Sequence, residues 1–306
     1  MSKTVTLHEL PGPGTIYPKA VGAMVPIFGK PARVAADAVV PDTVYRIEDV
    51  RVDTDKLLAY CHTTGSQFGS EVPLTYLFVL QFPLAMANMV ASDFPFGAIG
   101  SVHFENKIER LRPIGVDEPL TIETHAENLR EHRKGMLIDV ISEFYVGREL
   151  VAVQTGTFLK QQRTSLSDGE RGPAPKSKTP PPPNRVATVN LDLIRRYAAA
   201  SGDRNPIHMS NVSAKAFGFS QAIAHGMWSA ATAIANVEAQ APGAVVYSVR
   251  FGKPILLPAK VNLYTRELAD AGSETSGSNR SDHGFEVSIL NRRKGYPHLQ
   301  GTLVAR

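Results

Sequence analysis

A proline-rich break divides this 306-residue chain, and the stretches on either side of it echo one another. Residues 164–185 hold few large apolar side chains and many Pro, Ser, Lys and Gly, ending in Pro180-Pro181-Pro182-Pro183. Such a segment has little to bury and favours an extended, semi-rigid backbone. The break predicts an N-terminal unit over 1–163, a linker over 164–185 and a C-terminal unit over 186–306, each unit of ordinary domain size. Asp55, Tyr60 and Thr64-Gly65 repeat as Asp192, Tyr197 and Ser201-Gly202, and Arg112-Pro113-Ile114 repeats as Lys253-Pro254-Ile255. The order of elements agrees too: short helix, irregular loop, apolar helix, strands. Two like units packed side by side account for this better than chance does.

Local patterning fills in the units. Residues 192–200 carry helical spacing behind Asn190, a candidate N-cap. Residues 201–208 are irregular, with turn residues Gly202, Asn205 and Pro206. Residues 227–237 form an alanine-rich helix that is apolar nearly all round, hence buried. Segments 245–251, 259–266, 285–291 and 299–305 read as strands, several with period-two alternation. One buried helix against a mostly antiparallel sheet, twice over, is an α+β architecture. In the first half, 72–91 is apolar enough to raise the question of a membrane span. Gln81, Pro83 and Asn88 interrupt it and no basic residues flank it closely, so it reads as buried core.

Composition removes several classes of function. An apolar fraction of 43% is that of a globular protein, not a disordered one. The net charge of +4 suits an anionic small ligand. No dense Lys/Arg tract is interleaved with aromatics, which argues against nucleic acid. A single cysteine, Cys61, excludes an internal disulfide and fits a reducing compartment such as the cytoplasm. The first residues lack the apolar run of a signal peptide. There is no GxGxxG fingerprint, P-loop or Gly-x-Ser-x-Gly elbow, so nucleotide-driven chemistry and a hydrolase serine lack support.

The chemistry concentrates between Tyr197 and Met227. Asp203 and His208 flank an Asn205-Pro206 turn that prevents a regular helix, so both side chains can face one point. A carboxylate near an imidazole can share control of one water. The plain alternative is a turn-capping Asp and a satisfied surface His. Gly226, at the start of the buried helix, can offer an unpaired N–H at the positive end of the helix dipole to a developing oxyanion. Its plain alternative is a glycine needed for packing. Asn205, Ser201 and His225 are candidate supports, with Tyr197 packed beneath. Arg250, Lys253 and Lys260 could meet the phosphates of a carrier, or be solvated strand ends. Arg130, His132, Arg133 and Lys134 precede Gly135 as a basic hairpin tip, with carrier docking as the alternative. Asp203, His208 and His225 make a weak metal set, and neither a metal nor a cofactor is expected. The same register sets Ser66 opposite Asp203, Glu71 opposite His208 and Pro83 near the Gly226 position. The first half would then be catalytically silent.

The run Tyr197-Ala-Ala-Ala-Ser-Gly-Asp-Arg-Asn-Pro-Ile-His208, followed by Ala-Phe-Gly-Phe and Ile223-Ala-His-Gly-Met227, resembles the signature of MaoC-like (R)-specific enoyl thioester hydratases, also called (R)-3-hydroxyacyl-thioester dehydratases. Residues 72–76, 94–96, 127–133 and 159–167 resemble two-copy members of mycobacterial-type fatty-acid metabolism. The resemblance implies a double hotdog fold, in which each antiparallel sheet wraps a long helix. It implies reversible syn addition of water to a trans-2-enoyl thioester carried by CoA or acyl-carrier protein. Asp203 and His208 match the family's catalytic pair and Gly226 its oxyanion donor. Some members place a serine where this chain has Ile234, so that support is absent or supplied otherwise. The first half would give room for the acyl chain. A thioesterase on the same fold and a non-catalytic acyl-binding subunit are the rival readings. The chain could act as a monomer or a homodimer.

Overall fold

The structure is a computed structural model that describes residues 3–11, 33–35, 37–98, 100–168, 180–268 and 284–306. Residues 169–179 of the expected linker lie outside the described residues. Eleven strands form one sheet. In chain order they are β1 (Lys3–Leu7), β2 (Thr43–Val50), β3 (Ser101–Arg110), β4 (Leu120–His132), β5 (Gly135–Val146), β6 (Glu149–Gln161), β7 (Arg185–Val189), β8 (Val245–Phe251), β9 (Ala259–Leu268), β10 (Gly284–Asn291) and β11 (Pro297–Ala305). Across the sheet the order is β1-β2-β4-β5-β6-β3-β8-β11-β10-β9-β7. Read from the seam between β3 and β8, the two flanks run β3-β6-β5-β4-β2 and β8-β11-β10-β9-β7. Each flank is the same five-strand antiparallel pattern, so the molecule is a double hotdog. The seam is itself antiparallel, from Glu105 opposite Arg250 to Arg110 opposite Val245. Among the described residues only β1 lacks a counterpart; it joins the outer edge of β2 in parallel.

Each flank has its own short helix, and the repeat is clearest there. Helix α1 (Thr54–Thr64) starts where Asp53 accepts from the Lys56 amide, and α3 (Leu191–Ser201) where Asn190 accepts from the Leu193 amide. Both caps satisfy amides that have no intrahelical partner. Both helices end on a left-handed glycine, Gly65 at φ 83° and Gly202 at φ 77°, a conformation glycine adopts without a Cβ clash. Tyr60 and Tyr197 meet across the pseudo-twofold with ring centroids 5.7 Å apart.

A central helix lies against each flank: α2 (Tyr76–Met89) in the first half and α6 (Gly226–Ile234) in the second. Both are mostly buried, as their lack of a polar face requires. Among the described residues no helix is long and apolar enough to cross a membrane. Between α3 and α6 the second half carries two short helices, α4 (Pro206–Met209) and α5 (Asn211–Ala216).

Those short helices correct the sequence register. Glu71 bridges to Gly115 and Ile223 bridges to Leu256. The Val72 amide bonds the Ile114 carbonyl just as the Ala224 amide bonds that of Ile255. Glu71 therefore stands opposite Ile223, not His208. His208 lies on a segment that the first half lacks altogether. By the same register Leu74 occupies the Gly226 position, and Pro83 sits in the interior of α2. Repeat landmarks on either side of an insertion do not locate the insertion, and an ungapped reading slides past it.

Polar contacts stitch the halves together. Trp228, 2% exposed, donates its indole N–H to the Thr63 carbonyl at 2.8 Å. Arg110 donates to the Gly243 carbonyl at 2.9 Å. Glu238, from the second half, accepts from the Leu74 amide at 2.5 Å.

Candidate active site

Each side chain of the site is held by a local device that the sequence spells out. Gly202 ends α3 and turns the chain. The Asp203 amide then donates to Ser201 Oγ at 3.3 Å. The Asp203 carboxylate accepts from the Asn205 amide, and Asn205 Oδ1 accepts from the Ile207 amide. Asn205 thus caps α4 with Pro206 at its first position, where a missing N–H costs nothing. This turn carries His208 inward, where it is buried. Its Nδ1 donates to the Ile223 carbonyl at 2.8 Å. A carbonyl only accepts, so Nδ1 holds the proton and Nε2 is left as the basic nitrogen.

His225, the residue before α6, closes the group. Its Nε2 donates to the Asp203 carbonyl at 2.9 Å and lies 3.8 Å from Asp203 Oδ2. Its ring stacks on that of His208, with centroids 3.6 Å apart and planes 28° from parallel. Tyr197 packs beneath, 4.9 Å from the His225 ring. A carboxylate oxygen of Asp203 and one ring nitrogen from each of His208 and His225 lie within 4.8 Å of one another. This donor set fits a metal ion poorly. An ion lies in the plane of each imidazole that binds it, about 2.0–2.1 Å from nitrogen. Two nearly parallel rings stacked at 3.6 Å do not aim their lone pairs at one point within that reach.

Burial sets the protonation. His208 is held below the usual histidine range by burial, opposed by the Asp203 charge and the bond to Ile223. His225 is pushed down to about 3 by burial and then by neighbouring His208. At neutral pH both rings are therefore neutral beside the carboxylate.

Helix α6 begins at Gly226, directly after His225, which provides no side-chain cap. A methyl group added at Gly226 would meet the Phe251 ring at 3.1 Å. Packing thus favours glycine here, and the same smallness lets a ligand approach the backbone. Ile234, at the far end of α6, is fully buried in the core. Nearer Gly226, Ser229 donates its hydroxyl to the His225 carbonyl at 3.3 Å.

The sequence reading missed the first half's contribution. His103 of β3 is stacked on Phe158 at 4.7 Å and lies 4.9 Å from Phe251, with Phe78 at 5.7 Å. Burial pushes it down to about 4, and the Asp203 carboxylate is near enough to oppose that shift. A break in the β3–β6 register between His103 and Glu105 accompanies its placement. Nothing local marks this histidine; only the β3–β8 seam brings it to the second half's site. Arg250 ion-pairs with Glu105 across that seam. Lys253 instead sets its ammonium over the Tyr296 ring, 4.6 Å from the centroid.

Comparison with known proteins places the chain in a family. The family model of the MaoC like domain matches residues 174–281. The 3-hydroxyacyl-thioester dehydratase X of Mycobacterium tuberculosis is 44% identical over 263 residues, 86% of this chain and 89% of that protein. The crystal structure of HtdX from Mycobacterium tuberculosis is 45% identical with a TM-score of 0.73, over 85% of this chain and 99% of that one. A MaoC-like dehydratase from Phytophthora capsici shares the fold at 21% identity and a TM-score of 0.63, over 90% of this chain and 98% of that one. The signature loop, the duplicated hotdog and this identity over most of the chain lead to one conclusion: the chain belongs to the MaoC-like dehydratase family.

Proposed function

We propose that this chain adds water reversibly across a trans-2-enoyl thioester to give the (R)-3-hydroxyacyl thioester, with Asp203 and His208 as the groups that handle the water. The chain is a hydro-lyase of the 3-hydroxyacyl-thioester dehydratase and enoyl-CoA hydratase type. The observation that carries the residue assignment is the convergence of Asp203 and His208 within 4.8 Å, close to the uncapped start of α6.

In the hydration direction a water sits between the Asp203 carboxylate and His208 Nε2. The pair removes a proton as the water oxygen bonds C3. Electrons of the C2=C3 bond shift toward the thioester oxygen, which the Gly226 N–H stabilises at the positive end of α6. The enolate collapses as C2 takes a proton from the same pair. One water is consumed, and delivery from one face makes the addition syn. Dehydration is the reverse. Asn205 and Ser201 hold the loop, and His225 fixes the Asp203 backbone. The acyl chain runs toward the first half, past Phe251 and His103. CoA or acyl-carrier protein carries the thioester, and the compartment is the cytoplasm.

The test is Asp203→Asn assayed on crotonyl-CoA. Loss of at least about a hundredfold in rate is expected, the usual worth of a positioned acid or base. Near-normal hydration by the variant overturns the assignment. Loss of enoyl absorbance without thiol release separates this reaction from thioester hydrolysis. Binding of the thioester without turnover would instead mark a non-catalytic subunit.

A further inference from the structure

A cleft of about 300 Å³ opens where the two halves meet, beside the candidate active site. Its walls include Phe104, His132, Arg133 and Lys134 from the first half and Arg250 and Phe251 from the second. Phe251 belongs to both places: one side of its ring touches Gly226, and it also lines this cleft. A thioester whose carbonyl faces Gly226 must send its acyl chain one way and its carrier arm another. The acyl direction is marked by the rings around His103. The cleft, which Phe251 also lines, offers a place for the carrier arm.

Its charge is one-sided. Two cations and a histidine surround Phe104: the Arg250 guanidinium lies 5.5 Å from the ring centroid, the Lys134 ammonium 5.9 Å and the His132 ring 5.1 Å. Glu105 is the carboxylate that answers them, and it is taken by Arg250. Among the described residues neither Arg133 nor Lys134 has an ion-pair partner. Lys134, Arg133 and Arg250 all add to the burial that keeps His132 below the usual histidine range. Three permanent cations and a titrating histidine thus crowd one concave site against a single acid. Such repulsion weakens the folded state unless an anion occupies the site. Exposed cations scattered on a surface would not share one ring, one cleft and two polypeptide halves.

We propose that this cleft binds a phosphate group on the pantetheine arm of the thioester's carrier, with Arg133 and Lys134 of the silent half and Arg250 of the other half as its ligands. The assignment rests on the thioester reading above. It gives the first half a role in binding the carrier, at the β4–β5 hairpin, in addition to room for the acyl chain. Arg250 offers a planar fork to the phosphate, and Lys134 a point charge. The seam fixes their spacing, because Arg250 pairs directly opposite Glu105, one residue from Phe104.

Calorimetric titration of the full chain tests this without needing turnover. Coenzyme A should bind at least about tenfold more tightly than pantetheine, which lacks phosphate, since charge-assisted bonds carry that much. In the Lys134→Ala/Arg250→Ala double variant that ratio should fall toward one, while Lys56→Ala, on an exposed face of α1, leaves it as it was. Equal binding of coenzyme A and pantetheine by the unmodified chain overturns the proposal. A double variant that keeps the full ratio does so as well. Titration with 4′-phosphopantetheine locates the phosphate. Recovery of most of the advantage supports the phosphate that CoA and acyl-carrier protein share; no recovery overturns that assignment in favour of the nucleotide end of CoA. A protein that binds in this way yet hydrates no enoyl thioester keeps the cleft and loses the reaction.

Discussion

The starts of α2 and α6 occupy equivalent places in the two halves and have opposite fates. At the start of α6 stands Gly226, with no side-chain cap from His225 and the Asp203–His208 pair close by. In the turn that leads into α2, two residues before its first helical residue, stands Leu74, and its amide is closed off by the carboxyl of Glu238, reaching over from the second half. Burial holds that carboxyl above the usual range, with the Leu74 amide and Arg110 opposing the shift. A helix start is an anion site by construction. One carries no side-chain cap and the other is met by a side chain of the opposite half. If the first half is silent, as proposed, this arrangement contributes along with the lack of an Asp–His pair. The segment that would carry its histidine is missing, and its helix start is occupied. What the first half keeps is scaffold, the rings around His103, and half of the basic cleft.

This comparison can be broken experimentally. The largest effect should come from the pair: Asp203→Asn loses at least about a hundredfold in hydration rate. Ser66→Asp in the first half should gain no activity, because no histidine segment exists there to meet it. Activity in a Ser66→Asp/Asp203→Asn chain well above that of Asp203→Asn alone would mean that the halves are closer to equivalent than the fold says.

Next is the plug. Glu238→Ala strands the buried Leu74 amide and should lower unfolding free energy by about 1–3 kcal/mol in urea titration. Glu238→Gln keeps an acceptor and removes a carboxyl whose charged form burial disfavours, so at pH 7 it should match or exceed the parent. A Glu238→Ala protein as stable as the parent would show that the contact carries no weight.

The buried histidines give a pH signature of similar or smaller size. His103 of the first half lies near 4 and His225 of the second near 3, both lowered first by burial. On unfolding each returns to about 6.5. Between those values the unfolded chain binds more protons, so stability is full above about pH 6.5 and declines as pH falls below it. Urea midpoints at pH 7 and pH 5 should show the decline, and His103→Phe should make it shallower. A midpoint unchanged from pH 7 to pH 5 would place both rings in water.

The smallest effect should be the most symmetric. Asp53→Ala and Asn190→Ala each remove one helix cap and should each cost about 1 kcal/mol. A large difference between the two would mean that the short helices, alike in length and in both caps, are not energetically alike.

Much of this was legible from residues alone, for local reasons. Asn190 as a cap, Gly202 as a stop, the Asn205-Pro206 turn and the strand at 245–251 all depend on near neighbours, so composition and spacing reveal them. Residues 201–208 are not irregular throughout as expected: Asn205 caps the short helix α4, which begins at Pro206. The contribution of the first half could not be read this way. His103, Phe158 and Glu238 act on residues far away in the chain, and no pattern around them announces it.

By itself the sequence determined the two-unit plan, the buried helices and the loop that turns Asp203 and His208 inward, because each follows from short-range geometry and from periodic burial. Tertiary structure alone decided where the insertion falls, which helix start stays open and which charges share the cleft beside Phe251. The reason is physical: those outcomes depend on the pairing of β3 with β8, and strand pairing joins residues about 140 positions apart whose separate neighbourhoods carry no record of each other.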